Sequence, residues 1–353
     1  MNDVAPIRAI ESPAAPLLRH LLSPIEPFLS DPATEEVAIN RPGEAWVRQR
    51  GRFARHEVPL DLAELEEIAV LAGSLRRQEV GGANPLCATE LPGGERLQIC
   101  LPPAVPVGTV SLTIRKPGAV VAPISAVSSR YRVAGWNCWA RNKVARDHGD
   151  LLALFDAGEI EAFLAAAVRA RLTTLLCGAT GSGKTTMSKT LISAIDPAER
   201  IITIEDTLEL VIPQPNHARL LYSKDNLSGA RIDAEALLQA SLRMRPDRVL
   251  LQELRDDAAW TYVNEVVSGH PGSITTIHGE DGSQAFKRLF ALVKDSAKGA
   301  QWDDRTLIDL PAAAVDLIIP FENSGATYRI GNVWFAADAA RRGETAADLL
   351  RHL

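Results

Sequence analysis

The order of apolar and polar positions changes character near the middle of the chain. Residues 17–29 are apolar but broken by Pro24 and Pro27, which predicts a short helix and a turn. Residues 36–40 and 44–48 are strand-like runs flanking Arg41-Pro42-Gly43, a β-hairpin signal. Asp61 is placed to cap a helix running to about Arg77, with Leu65, Ile68, Ala69 and Ala72 on one face. Short strands are expected at 96–101 and 109–115, each bounded by proline or glycine. These elements describe a smaller α+β domain over residues 1–116.

Residues 117–150 look like a connector, punctuated by Pro117, Gly118 and Pro123 and by Ser125, Ser128 and Ser129. Trp136 and Trp139 fall within it, and a freely solvated linker has little use for tryptophan. Two readings stand: they pack on a neighbouring subunit, or on their own domain.

From residue 151 to 353 helix and strand signals alternate, as in a parallel sheet with crossover helices. A helix over 151–170 leads to a short apolar and β-branched strand at 172–177. Further buried strands are expected at 201–204, 248–251 and 273–277. Directly after the 172–177 strand comes Gly178-Ala179-Thr180-Gly181-Ser182-Gly183-Lys184-Thr185, which fits G-x-x-x-x-G-K-[ST] at every fixed position. A helical pattern over 186–195 follows, so the loop joins a strand to a helix.

The chemistry of a triphosphate asks for these residue types. Backbone N–H groups must approach closely, and Gly178, Gly181 and Gly183 remove side chains that would stand in the way. The helix that follows, beginning near Thr186, presents free amides and a positive dipole end. Lys184 supplies a point charge to the β- and γ-phosphates, and the Thr185 hydroxyl is a ligand for Mg²⁺. The expected ligands are therefore ATP and Mg²⁺.

Composition narrows the class further. The chain has 353 residues, enough for two domains with a core in each. A net charge of −6 and an aromatic content of 5% argue against a nucleic-acid-coating protein, and no direct nucleic-acid binding is expected. Cys87, Cys100, Cys138 and Cys177 form no C-x-x-C pair, so neither a zinc site nor a disulfide framework is expected. Residues 1–16 lack a signal-peptide core, and no run of about 18 apolar residues exists. A cytoplasmic chain, at most docked on a membrane surface, is the expectation.

Each of the other three strands ends in a chemically active group: Glu205-Asp206, Glu253 and His278. Ligands of open α/β sheets collect at the carboxyl ends of the strands. Glu253 is the natural group to hold a Mg²⁺-bound water or to orient the attacking one. Glu205 is the other carboxylate in reach, and either is suited to polarise the water. His278 is placed to sense or stabilise the γ-phosphate oxygens.

These segments resemble, in order, the four boxes of the secretion traffic ATPases. They are the 178–185 loop, the acidic segment 201–206, the stretch 242–248 with Glu253-Leu254-Arg255, and residues 268–273 through His278-Gly279. Asp31-Pro32, residues 37–40, Gly93-Gly94-Glu95-Arg96 and residues 113–117 also resemble the family. Coverage runs from about residue 17 to 321. Within the superfamily the chain is most similar to the type IV secretion ATPases, since no four-cysteine motif follows the third box. The resemblance implies an α/β fold with a RecA-like P-loop ATPase core and a smaller α+β N-terminal domain.

It also implies a homo-hexamer on the inner face of the inner membrane, working with other secretion-system components in substrate transport or pilus assembly. Arg96 and Arg115 stand where the family brings arginines to the phosphates, so that losing the γ-phosphate releases a rotation of one domain against the other. One departure is Gln252, where the family usually has glycine; a side chain there is expected to crowd the Mg²⁺ site or slow turnover. Two other classes stay open: a RecA-like motor on DNA, and a nucleotide-gated scaffold with weak hydrolysis.

Overall fold

Asp61 accepts a hydrogen bond from the Glu64 amide at 2.9 Å, while the Glu64 carboxylate accepts one from the Asp61 amide at 2.8 Å. This capping box starts the helix Leu62–Leu75, and Leu65, Ile68, Ala69 and Ala72 are its buried face. The computed structural model describes residues 13–117, 148–223, 232–266, 269–323, 327–344 and 346–350. Within them the chain forms two compact units, one of residues 13–117 and one of residues 148–222 and 233–350; Ser223 and Ile232 group with the first. The expected connector over 117–150, with both its tryptophans, lies almost wholly outside the described residues.

In the first unit, α1 (Ala15–Leu21) and α2 (Glu26–Ser30) take the place of the single helix and turn expected over 17–29. Pro24 lies in the turn between them, and Pro27 lies in the first turn of α2, where no intrahelical N–H bond is lost. The hairpin of β1 (Thr34–Ile39) and β2 (Glu44–Gln49) forms as expected, and β3 (Arg52–Glu57) extends it to an edge. After α3 (Leu62–Leu75) come β4 (Leu86–Glu90), β5 (Arg96–Cys100) and β6 (Ser111–Arg115). The strands pair antiparallel in the order β3-β2-β1-β6-β5-β4. Leu65 and Ile68 of α3 join Val37, Ile39, Ile99, Leu112 and Ile114 in one core. Strand β3 escapes a periodicity reading because nearly all its residues are polar or exposed.

The second unit opens on α4 (Gly149–Ala157) and α5 (Ile160–Arg169), so the helix expected over 151–170 is broken. Gly158 ends α4 in the left-handed region, φ +69°, a conformation that suits glycine and stops a helix. Next come β7 (Thr174–Gly178), α6 (Lys184–Ser193), β8 (Ile201–Glu205), β9 (His217–Leu221), α7 (Ala234–Ser241) and β10 (Arg248–Leu251). Then follow β11 (Ile274–Ile277), α8 (Gly282–Asp295), α9 (Asp304–Ala314), β12 (Leu317–Asn323), β13 (Tyr328–Ile330) and β14 (Trp334–Phe335).

Parallel ladders join β9 to β8 to β10, and β11 to β7 to β12, with β13 and β14 antiparallel on β12. Strands β10 and β11 stand side by side: Leu254 N donates to Thr276 O at 2.8 Å and Thr276 Oγ1 to Gln252 O at 2.9 Å. The row β9-β8-β10-β11-β7-β12-β13 therefore places every central strand in the same direction. Leu176, Leu191, Ile201, Leu250, Ile274 and Ile319 pack in one core beneath it.

The amino ends of these strands carry two fully buried arginines. Arg248 forms a two-bond fork to Glu199 at 2.8 and 2.9 Å and also donates to the carbonyls of Val168 and Gly272. Arg200 donates to Met244 O at 3.0 Å and to the Asn216 side chain. A planar guanidinium suits such fixed, several-bond settings. Among the described residues no helix is long and apolar enough to cross a membrane.

A candidate nucleotide site at the carboxyl ends of the strands

Gly178 closes β7 with φ +153°, and a Cβ there would lie 2.4 Å from Ser182 Oγ and 2.5 Å from Phe321 O. No other residue fits that turn. The loop then passes through exposed Ala179, Thr180 and Gly181 to buried Ser182. Gly183, at φ +97°, begins α6 with no side chain capping its first amides. The N–H groups of the first turn, including those of Lys184, Thr185 and Thr186, thus face outward at the positive end of the helix. Ser182 Oγ is buried with no hydrogen-bond partner. An orphan hydroxyl and a row of uncapped amides suit an anion.

Lys184 folds back onto this loop, its Nζ donating to the carbonyls of Gly178 and Ala179 at 2.7 Å each. Burial lowers the pKa of its ammonium, while nearby Glu253 and Cys177 pull in the opposite direction. Cys177, under the loop at the end of β7, is buried enough that its thiol is pushed up to about 12, with Asp281 adding to the shift.

Beyond β10, Glu253 sits at the same end of the sheet. Its Oε2 accepts from Arg255, and its Oε1 lies 3.0 Å from His278 Nε2, which follows β11. That approach is off the line of a hydrogen bond, so Oε1 is buried without one. Glu253 is only 17% exposed and His278 is 53% exposed, so the imidazole shields the carboxylate from one side. Lys184, Glu253 and His278 are thereby brought together by three neighbouring strands, as their positions in the sequence imply.

Glu205 is also at this end of the sheet, yet its environment is different. It is fully buried, and both oxygens are engaged: by Arg219 at 2.8–3.0 Å, by the Thr203 hydroxyl at 2.8 Å, and by the amides of Glu209 and Leu210 at 2.9 and 2.8 Å. No lone pair is left to take a proton from water. Arg219, on β9, is the residue that sequence reasoning missed here. Gln252 is held by the segment that follows β8. Its Oε1 accepts from the Asp206 amide at 3.1 Å and its Nε2 donates to Glu209 at 3.0 Å, so it ties the 206–209 turn to the end of β10. Those two bonds engage both polar atoms of the Gln252 side chain.

Two further residues of this end were not foreseen. Asn323 Nδ2 donates to Gly181 O at 3.1 Å, and the Tyr328 ring lies against Gly183. The signal was available, since the apolar run 317–321 ends in polar residues just as the other strands do. His270, in contrast, precedes β11 and sits at the opposite end of the sheet from His278, beside the Pro246 carbonyl. In the first unit, Arg96 and Arg115 are directly opposed in the β5–β6 ladder and both are exposed. Arg115 reaches Glu36 only at 3.8 Å.

Residues 149–319 match the family described as "Type II/IV secretion system protein". Protein VirB11 of Agrobacterium fabrum is 64% identical over 337 residues, covering 95% of this chain and 98% of that protein. The type IV secretion system protein VirB11 of Bartonella henselae is 38% identical over 89% of this chain and 91% of its own length. A crystal structure of the VirB11 ATPase from the Brucella suis type IV secretion system, in complex with sulphate, superposes with a TM-score of 0.85 at 34% identity. It covers 93% of this chain and 97% of that one. Alike over nearly the whole length of these relatives and built on a RecA-like second unit, the chain belongs to the VirB11 family of type IV secretion ATPases.

Proposed function

We propose that the chain hydrolyses ATP at the 178–186 loop, with Lys184, Glu253 and His278 as the working side chains. The observation that carries this reading is the buried Glu253 Oε1, beside His278 and within the field of Lys184 yet without a hydrogen bond. A buried carboxylate oxygen without a protein hydrogen bond is poised to accept a proton or fix a water. Glu253, not the saturated Glu205, orients the attacking water. Glu205 instead holds the 206–210 turn through the amides of Glu209 and Leu210.

Binding follows from the loop. The amides at the start of α6 and the Ser182 hydroxyl receive the phosphate oxygens. Lys184 exchanges its two carbonyl partners for the β- and γ-phosphates, a swap favoured because a partly buried ammonium gains more from an anion than from neutral acceptors. His278 donates to the γ-phosphate oxygens. The residues fit Mg²⁺ as well: Thr185 offers a hydroxyl and Glu253 a carboxylate oxygen, directly or through water, and the ion supplies charge neutralisation on the phosphoryl group.

Arg96 and Arg115 bind phosphate from the first unit. Both are exposed and lie side by side across the β5–β6 ladder, a pair of guanidiniums suited to one anion. Hydrolysis then drives movement of the first unit against the second within a homo-hexamer on the inner face of the inner membrane, serving substrate transport or pilus assembly with the other secretion components. The domain limits 1–116 and 151–353 frame that movement. The decisive test is phosphate release from ATP and Mg²⁺ by purified protein. Lys184→Ala is expected to lower it about a hundredfold or more, and wild-type turnover in that variant sinks the assignment.

A further inference from the structure

A nucleotide bound in the loop has two ends, and the sheet tells them apart. On the reading above, on which this inference rests, the γ end faces Glu253 and His278. Those residues follow β10 and β11, on one side of β7. On its other side β7 pairs with β12, and β13 lies beyond. The register makes the contrast local: Cys177, one residue before the turn, is paired with Ile277 on one flank and with Pro320 on the other. A linear polyphosphate cradled between them therefore directs its nucleoside end toward β12 and β13.

At that place the structure holds a tyrosine that packing alone does not explain. Tyr328 is 68% exposed. Its ring nevertheless lies against the backbone of Gly183: a Cβ on that glycine would stand 3.3 Å from one ring carbon and 3.8 Å from the next. Its strand is tied to β12 and to the loop. Asn323, its partner in the β12–β13 ladder, donates to Gly181 O at 3.1 Å. The adjacent pair, Glu322 and Arg329, is closed by an ion pair at 2.9 Å. An aromatic side chain thus lies beside the first turn of α6 with much of its surface facing solvent.

We propose that Tyr328 is the platform on which the base of the nucleotide stacks, making this edge of the loop a subsite for a planar heterocycle. Aromatic rings attract flat π-systems by area and offset stacking rather than by a donor and acceptor code. The subsite therefore favours the larger purines over pyrimidines and is indifferent to phosphate alone. Asn323 is a positioning residue in this scheme, since it acts by anchoring the hairpin to the loop.

The test is titration calorimetry of the purified full chain with ADP, CDP and inorganic pyrophosphate. Wild type is expected to bind ADP more tightly than CDP. Tyr328→Ala is expected to weaken ADP about tenfold, within the range for loss of one base–aromatic stack. It should also narrow the ADP–CDP gap and leave pyrophosphate within about twofold. Tyr328→Phe, which keeps the ring, is expected to behave as wild type. Unchanged ADP affinity in Tyr328→Ala overturns the proposal, as does an equal loss for pyrophosphate, which would mean that the ring merely props the loop. A wild-type chain that binds none of the three sinks the nucleotide reading itself. If wild type binds ADP and pyrophosphate but Tyr328→Ala does not differ from it, only the platform falls.

Discussion

At the amino ends of β8 and β10, Arg200 and Arg248 are fully buried with their guanidiniums hydrogen-bonded on several sides. At the carboxyl ends of the same sheet, Ser182 Oγ and Glu253 Oε1 are buried with no hydrogen bond at all. Both ends place polar groups in a low-dielectric setting, where an unmet group is costly and a met one is rigid. At the amino end the two guanidiniums are met inside the protein, whereas at the carboxyl end these two oxygens are not. Glu205 shows that the division is not simply one of position, since at the carboxyl end it is satisfied as fully as the arginines are.

The comparison breaks most visibly at Arg248. Arg248→Ala leaves the carbonyls of Val168 and Gly272 without their buried donor while Glu199 keeps Arg171 at 3.0 Å, and each unmet buried group costs about 1–3 kcal/mol. A large fall in the urea midpoint is expected, and an unchanged midpoint would remove the amino-end network from the account. At the other end the expected losses are of rate, not of stability. Glu253→Gln should lower turnover about a hundredfold, equivalent to ~2.7 kcal/mol of barrier, with melting unaltered. Glu205→Gln should do the reverse, weakening the Arg219 pair and lowering the melting temperature first. Steady-state phosphate release and thermal melting of the two variants separate these roles, and an exchange of the two patterns would refute them.

The smallest effect is expected from pH. Burial holds the pKa of His270 below its ordinary value, with Arg245 and Arg171 adding to the shift and the Pro246 carbonyl and Asp247 opposing it. The unfolded chain then binds the proton more readily than the folded one. The contribution to stability is present above about pH 6.5 and is lost as pH falls through that value toward the folded pKa. Thermal melts between pH 7.5 and 5.5 should show this slope in wild type and a shallower one in His270→Gln; identical slopes would discount the residue.

Much of the site was legible because its chemistry is local. The 178–185 loop, with the strand before it and the helix after it, is written in consecutive residues. Glu253 and His278 were found because apolar runs end at them. What the sequence left obscure depends on partners distant along the chain. The saturation of Glu205 needs Arg219, which a strand brings back from 14 residues away. The direction of Gln252 depends on the 206–209 turn. The burial of Arg200 and Arg248 runs against the usual exposure of arginine. Gly158, by contrast, was a readable break inside the 151–170 pattern, since glycine near a helix end is a stop signal.

Cys177 carries a consequence for handling. Burial pushes its thiol up to about 12, so the sulfur stays protonated at neutral pH. Alkylating reagents and mild oxidants act through the thiolate anion, so the sulfur beneath the catalytic loop is chemically quiet. An alkylating reagent added to the folded protein should therefore leave Cys177 unmodified.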